Sequence, residues 1–168
     1  MTSDAETSAY ASPACFAHEV DPVYMGGIPD NELAALLNLI LEVERAGAKA
    51  LTALLAQFDQ QEVVDLLSDV QRDHARFCGR LTRIVTHLGG TPSEATSAFH
   101  DEIVGLDGAA ERLNHLISGQ NWVINQIETV LPRVPNDDHH ATLADMRDAH
   151  RRNVTDCGAL LNWMLGQR

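Results

Sequence analysis

Apolar residues recur at helical spacing along four long stretches of this chain, and no stretch alternates with the two-residue period of a strand. The first stripe opens at Asp30 and carries Leu33, Leu36, Leu37, Ile40, Glu44, Ala48, Leu51 and Leu55 on one face, ending near Phe58. The second runs through Leu67, Val70, His74, Phe77, Cys78, Leu81, Val85 and Leu88 to a stop at Gly89-Gly90. The third shows Ala110, Leu113, Ile117, Gln120, Ile124, Ile127 and Leu131 and is closed by Pro132 and Pro135. The fourth follows Asn136-Asp137-Asp138 with Leu143, Met146, His150, Val154, Cys157, Leu161 and Met164. Four such helices must bury their stripes against one another, so the expected fold is all-α, a four-helix bundle.

Punctuation divides the chain further. Asp59-Gln60-Gln61-Glu62 reads as a capping box at the start of the second helix. Thr91-Pro92-Ser93-Glu94 reads as another helix start, so the stretch from Thr91 to about Asp107 is expected to hold a short helix within a connection. Gly105 and Asp107-Gly108 mark a bend before the third helix. Two tight hairpins joined by a long connection are the expected result, with an up-down bundle carrying a small excursion as the alternative. Residues 1–29 mix Ser, Thr, acid, Pro and Gly with a few large apolar side chains, and read as an irregular, partly disordered N-terminal arm beside a bundle spanning 30–168.

Length and charge bound what such a bundle does. The 168 residues suit one domain with a substantial core. Twelve Lys and Arg against twenty-four Asp and Glu leave a net charge of −12, which repels phosphate backbones and anionic lipid surfaces. No nucleic-acid or membrane partner is therefore expected. Three scattered cysteines, Cys15, Cys78 and Cys157, form no CxxC pair. With no signal-like start and no membrane-length apolar run, they point to a reduced, cytoplasmic protein.

Each stripe is interrupted by one polar residue: Glu44, His74, Gln120 and His150. Glu44 and His74 lie about 15 residues either side of the first hairpin turn, and Gln120 and His150 about 15 either side of the second. At about 1.5 Å per residue, each pair is level and points inward. Buried acid and imidazole groups need partners, since an unpaired buried charge is costly.

The phrases Leu41-Glu42-Val43-Glu44-Arg45-Ala46-Gly47-Ala48, Arg72-Asp73-His74-Ala75-Arg76-Phe77-Cys78, Gly119-Gln120-Asn121-Trp122-Val123 and His150-Arg151-Arg152-Asn153 carry a resemblance to the ferritin-like superfamily. The chain, including Cys15-Phe16-Ala17-His18-Glu19, is most similar to an uncharacterised bacterial branch of it. That resemblance implies a metal centre to which the first and third helices each give a Glu and the second and fourth each give Glu-x-x-His. Glu44, His74 and His150 match. Gln71, Arg147 and Gln120 stand where further carboxylates belong, so the ligand set is degenerate for two ions.

What remains, Glu44, His74 and His150 with Gln120 beside them, is the set for one iron, manganese or zinc ion serving redox or oxygen-related chemistry. Asp73, Asn121 and Glu128 are candidates for the supporting groups. The competing reading is a metal-free buried network that only fixes helix register in a non-catalytic binding or assembly module. Cys15-x-x-His18-Glu19 has ligand-type residues on the arm, but an apolar cysteine beside a surface histidine is the simpler account. His139-His140 beside Asp137-Asp138 resembles an adventitious cation site at a helix N-terminus, and more plainly a polar turn. Cys78 and Cys157 read as small core residues. Trp122 and Trp163, if exposed together, mark the surface of an expected homodimer, and nothing in the chain specifies a small-molecule ligand.

Overall fold

The computed structural model describes residues 26–166. They form helices α1 (Asp30–Leu55), α2 (Gln61–His87), α3 (Phe99–Val104), α4 (Ala109–Val130) and α5 (Asp137–Gly166), with a 3-10 turn at Leu131–Arg133. No strand occurs among the described residues, so the all-α expectation holds. Cys15, His18 and Glu19 lie outside the described residues, as does the arm up to residue 25. No described helix is long and apolar enough to cross a membrane.

Local chemistry sets most of the helix ends. The Ile28 N–H donates to the Arg133 carbonyl at 2.8 Å, which anchors the entry to α1. The Gly89-Gly90 stop is real: Gly89 adopts φ +75°, its N–H meets the Thr86 carbonyl, and the Gly90 N–H reaches Val85 O at 2.9 Å. That double bond satisfies carbonyls the helix end would otherwise strand, and a left-handed residue there favours glycine. At the start of α5, Asn136 Oδ1 accepts the His139 N–H at 2.9 Å.

Two start signals do not act as read. α2 begins at Gln61 with Gln60 as its cap, and no side-chain cap bond forms, so the Asp59-to-Glu62 box is out of register. α1 likewise ends at Leu55, three residues short of Phe58. The Thr91-Pro92 signal starts no helix; residues 91–97 have no regular structure and α3 begins only at Phe99.

The reason is a strap bonded to the polar side of α1. Asn38 Nδ2 donates to Thr91 O at 2.9 Å while its Oδ1 accepts the Ser93 N–H at 2.8 Å. Arg45 donates to the Ser93 and Ala95 carbonyls, Lys49 Nζ to Thr96 Oγ1, and the Ser97 N–H to the Glu42 carbonyl. Backbone groups that a helix would have paired internally are paired with α1 instead.

α1 packs on α2 and α4, and α5 packs on the same two helices. The end of α2 meets the start of α5 through His87 and His139, and the start of α1 meets the end of α4 through Ile28 and Arg133. α2 and α4 therefore run in the same direction, and the strap returns the chain along α1 between them. The core falls into two apolar clusters. One holds Leu37, Leu41, Phe77, Leu81, Val123, Ile127, Leu143 and Met146; the other holds Leu51, Leu54, Leu67, Val70, Leu113, Leu116 and Cys157. On every long helix, the polar interruption falls between them.

Candidate metal centre

That dividing layer consists of Glu44, His74, Gln120 and His150, and each is buried. The level pairing expected from the turns is present. His74 Nδ1 lies 2.9 Å from Glu44 Oε2, and His150 Nδ1 lies 3.3 Å from Gln120 Oε1. The two pairs also meet, because His150 Nε2 approaches Glu44 Oε1 at 3.1 Å. The two imidazole rings lie with centroids 5.3 Å apart and planes tilted by 54°. One donor atom from each of Glu44, His74 and His150 lies within 4.8 Å of the others.

Glycine makes this approach possible. Gly47 sits one turn beyond Glu44, and a Cβ there would lie 2.7 Å from His74 Cε1 and 3.0 Å from Nδ1. The His74 ring is thus laid against bare α1 backbone. Sequence reasoning passed over Gly47, although a glycine inside a strong helix is a signal that something comes close.

Burial alone pushes the Glu44 carboxyl up, but the charges of His150 and then His74, with the hydrogen bond to His74, outweigh it and hold Glu44 at about 2. The carboxylate is therefore ionised in the core. Its contact with His150 is a charge contact, because the 3.1 Å approach is not aligned as a hydrogen bond, and Glu44 Oε1 and His150 Nε2 are both without a hydrogen-bond partner. His74 Nε2 and Gln120 Nε2 are also buried without one. Unsatisfied buried polar atoms are scarce in folded proteins, yet four fall in this one layer.

The donor set fits a single ion and not two. Gln71 turns away to donate to the Ala48 carbonyl and Thr52 Oγ1, and Arg147 pairs with Asp148. Neither position helps to hold a second ion. The supporting groups expected from sequence are elsewhere as well: Asp73 pairs with Arg76 and Asn153, Glu128 with Arg151, and Asn121 is exposed. Gln120 is the polar neighbour that the structure does place against a candidate ligand. Cys78 offers no thiolate, since burial and then the Glu44 charge push it up to about 11. Buried Cys157 is pushed up to about 12.

Of the remaining candidates, Trp122 and Trp163 are both exposed, on α4 and α5. His139 is not part of a polar surface turn; it is buried and bonded to His87. That pairing was illegible because one histidine ends a helix and the other opens one 52 residues later.

Residues 31–159, well over half of the chain, match the model of a family described as a domain of unknown function, DUF6306. The chain belongs to that family. No curated protein and no solved structure matches it.

Proposed function

We propose that this DUF6306 member is a ferritin-like four-helix bundle that holds one divalent metal ion, iron, manganese or zinc, through Glu44, His74 and His150, with Gln120 orienting His150. One observation carries this reading: Glu44 Oε1 and His150 Nε2 are 3.1 Å apart, buried, and without hydrogen-bond partners. With Gln120 Oε1 in reach of Nδ1 as an acceptor, His150 turns its Nε2 towards the anionic Glu44 oxygen. A buried pair that close and without hydrogen bonds is placed to share one positive charge, which a metal ion bound by both would supply.

The return of the chain along α1 and the parallel course of α2 and α4 support ferritin-like connectivity, which joins two hairpins by one long crossover. A single carboxylate beside two imidazoles suits one borderline divalent ion. When bound, that ion supplies Lewis acidity and, if iron or manganese, a redox couple. The protein's own part is to hold His150 in one tautomer through Gln120, to keep Glu44 ionised, and to exclude bulk water between the two apolar clusters.

The second reading, a metal-free network fixing helix register, draws on the 2.9 Å contact of His74 Nδ1 with Glu44 Oε2, which an imidazole N–H satisfies without metal. Metal analysis of the purified chain and of His74→Ala and His150→Ala separates the two. About one equivalent in the parent, lost in both variants, supports the centre. Equal and negligible metal in all three sinks it.

A further inference from the structure

Four seams between the long helices separate the central layer from solvent, and three of them are closed by those helices' own side chains. Between α1 and α2, His74 lies on the bare backbone at Gly47, and Gln71 Nε2 donates to the Ala48 carbonyl at 2.9 Å. Between α2 and α5, Asn153 Nδ2 donates to Asp73 Oδ2 at 3.2 Å, and Arg76 and Arg80 both pair with Asp145. Between α4 and α5, Gln120 meets His150, and Arg151 pairs with Glu128. The seam between α1 and α4 is different: it is covered by the strap of residues 91–98 and by α3, which packs on both helices.

That cover sits at the depth of the layer. Arg45, next to Glu44, donates to the Ser93 and Ala95 carbonyls, and the Glu42 carbonyl accepts the Ser97 N–H. On the facing helix, Phe99 occupies the notch at Gly119, next to Gln120. We propose that the strap is the gate of the central site, lifting from α1 and α4 to admit and release the divalent ion, with Phe99 as its plug. The gate rests on the reading that Glu44, His74 and His150 hold that ion. These three side chains are at most 2% exposed, so an ion reaches them only when part of the fold opens. Moving a long helix breaks both apolar clusters, whereas lifting the strap breaks neither. Asn38, Arg45 and Lys49 hold the strap through bonds near the surface, which water replaces when they break. Ser97 Oγ is buried in the closed strap without a hydrogen bond, and opening lets water reach it. The apolar contact of Phe99 is then the main resistance to opening.

The test loads the full chain with zinc and follows transfer of the zinc to excess chromogenic chelator, in the parent and in Phe99→Ala, Asn38→Ala and Asp145→Ala. Far-UV circular dichroism confirms the helices, and hydrogen exchange at the Ser97 amide reports strap opening. Phe99→Ala removes the plug, and Asn38→Ala removes both bonds of that side chain to the strap. Each speeds zinc release and uptake alike, by roughly tenfold, in step with faster exchange at Ser97. Equilibrium affinity stays as in the parent, because a gate alters the path and not the bound state. Asp145→Ala, which loosens the α2–α5 seam, leaves the release rate unchanged. Unchanged release from folded Phe99→Ala and Asn38→Ala overturns the gate and leaves the metal site standing, as does faster release from Asp145→Ala alone. A parent that binds no zinc, iron or manganese overturns the central reading and the gate together.

Discussion

Glu44 Oε1 and His150 Nε2 stand 3.1 Å apart in the core, and neither atom makes a hydrogen bond. The two come from α1 and α5, helices that do not follow one another in the chain, and each is also tied to the helix beside it, Glu44 to His74 and His150 to Gln120. The contact therefore joins the two helical hairpins through their most polar point. Its stability contribution depends on what balances the charge, which makes it open to measurement.

Removing one member of a buried charge cluster costs more than removing all of it. Glu44→Leu leaves two imidazoles facing apolar walls, and should destabilise the metal-free protein by about 3–5 kcal/mol. Replacing Glu44, His74, Gln120 and His150 together by Leu removes every stranded polar atom of the layer and joins the two apolar clusters. The quadruple variant should recover most of that loss in urea denaturation with chelator present. A quadruple variant less stable than Glu44→Leu would refute this balance.

Acid should uncouple the same layer. Glu44 is held at about 2 against an ordinary 4.5, so its folded state binds the proton less tightly than the unfolded state does. The resulting stability is fully present above about pH 4.5 and is lost as pH falls towards 2, amounting to something on the order of 3 kcal/mol. Denaturation midpoints of metal-free protein between pH 5 and pH 2.5 should fall steeply, and Glu44→Gln should flatten that fall.

How much of this was legible follows from which forces act locally. The four stripes, the depth of their polar interruptions and the Gly89-Gly90 stop were readable because helical period and rise are set by the backbone itself. The strap was not, since Thr91-Pro92-Ser93-Glu94 has good helix-start chemistry, and only Asn38, Glu42, Arg45 and Lys49, some fifty residues earlier, outcompete it for the backbone groups. The Asp59–Glu62 box failed in a similar way, by a one-residue change of register at a turn. The central site was readable as a set of residues, while the bare backbone at Gly47 that admits His74 shows only once the helices are packed.

Gly47 should be the least replaceable glycine of α1 and α2. A methyl group there meets the His74 ring at 2.7 Å, and a ring held between α1 and His150 has little room to retreat. Gly47→Ala should cost about 1–3 kcal/mol by overpacking, against the helix-propensity gain it would otherwise bring, and should abolish metal uptake at the central site. Gly158, inside α5, provides the contrast, because a methyl group added there would have nothing within 4 Å. Gly158→Ala should stabilise by about 0.5–1 kcal/mol. Thermal melts of the two variants decide, and similar shifts of the same sign would count against the close approach.

Phe99 and Gly119 should behave as one unit. The Phe99 ring fills the notch left by Gly119, where an added Cβ would lie 2.2 Å from Phe99 Cζ, and it stacks on His115 at 5.1 Å between centroids. This is how the strap, hydrogen-bonded to α1, is also fastened to α4 beside Gln120. Gly119→Ala should expel the ring, cost about 1–3 kcal/mol, and speed hydrogen exchange at the Ser97 amide, which is bonded to Glu42 O. Phe99→Ala alone should loosen the same amide by losing the apolar contact. If the notch is what couples the two positions, the double variant should be less destabilised than the sum of the singles, because the clash and its victim disappear together. Strict additivity in a double-mutant cycle would show that the strap is held by its polar bonds to α1 and not by Phe99.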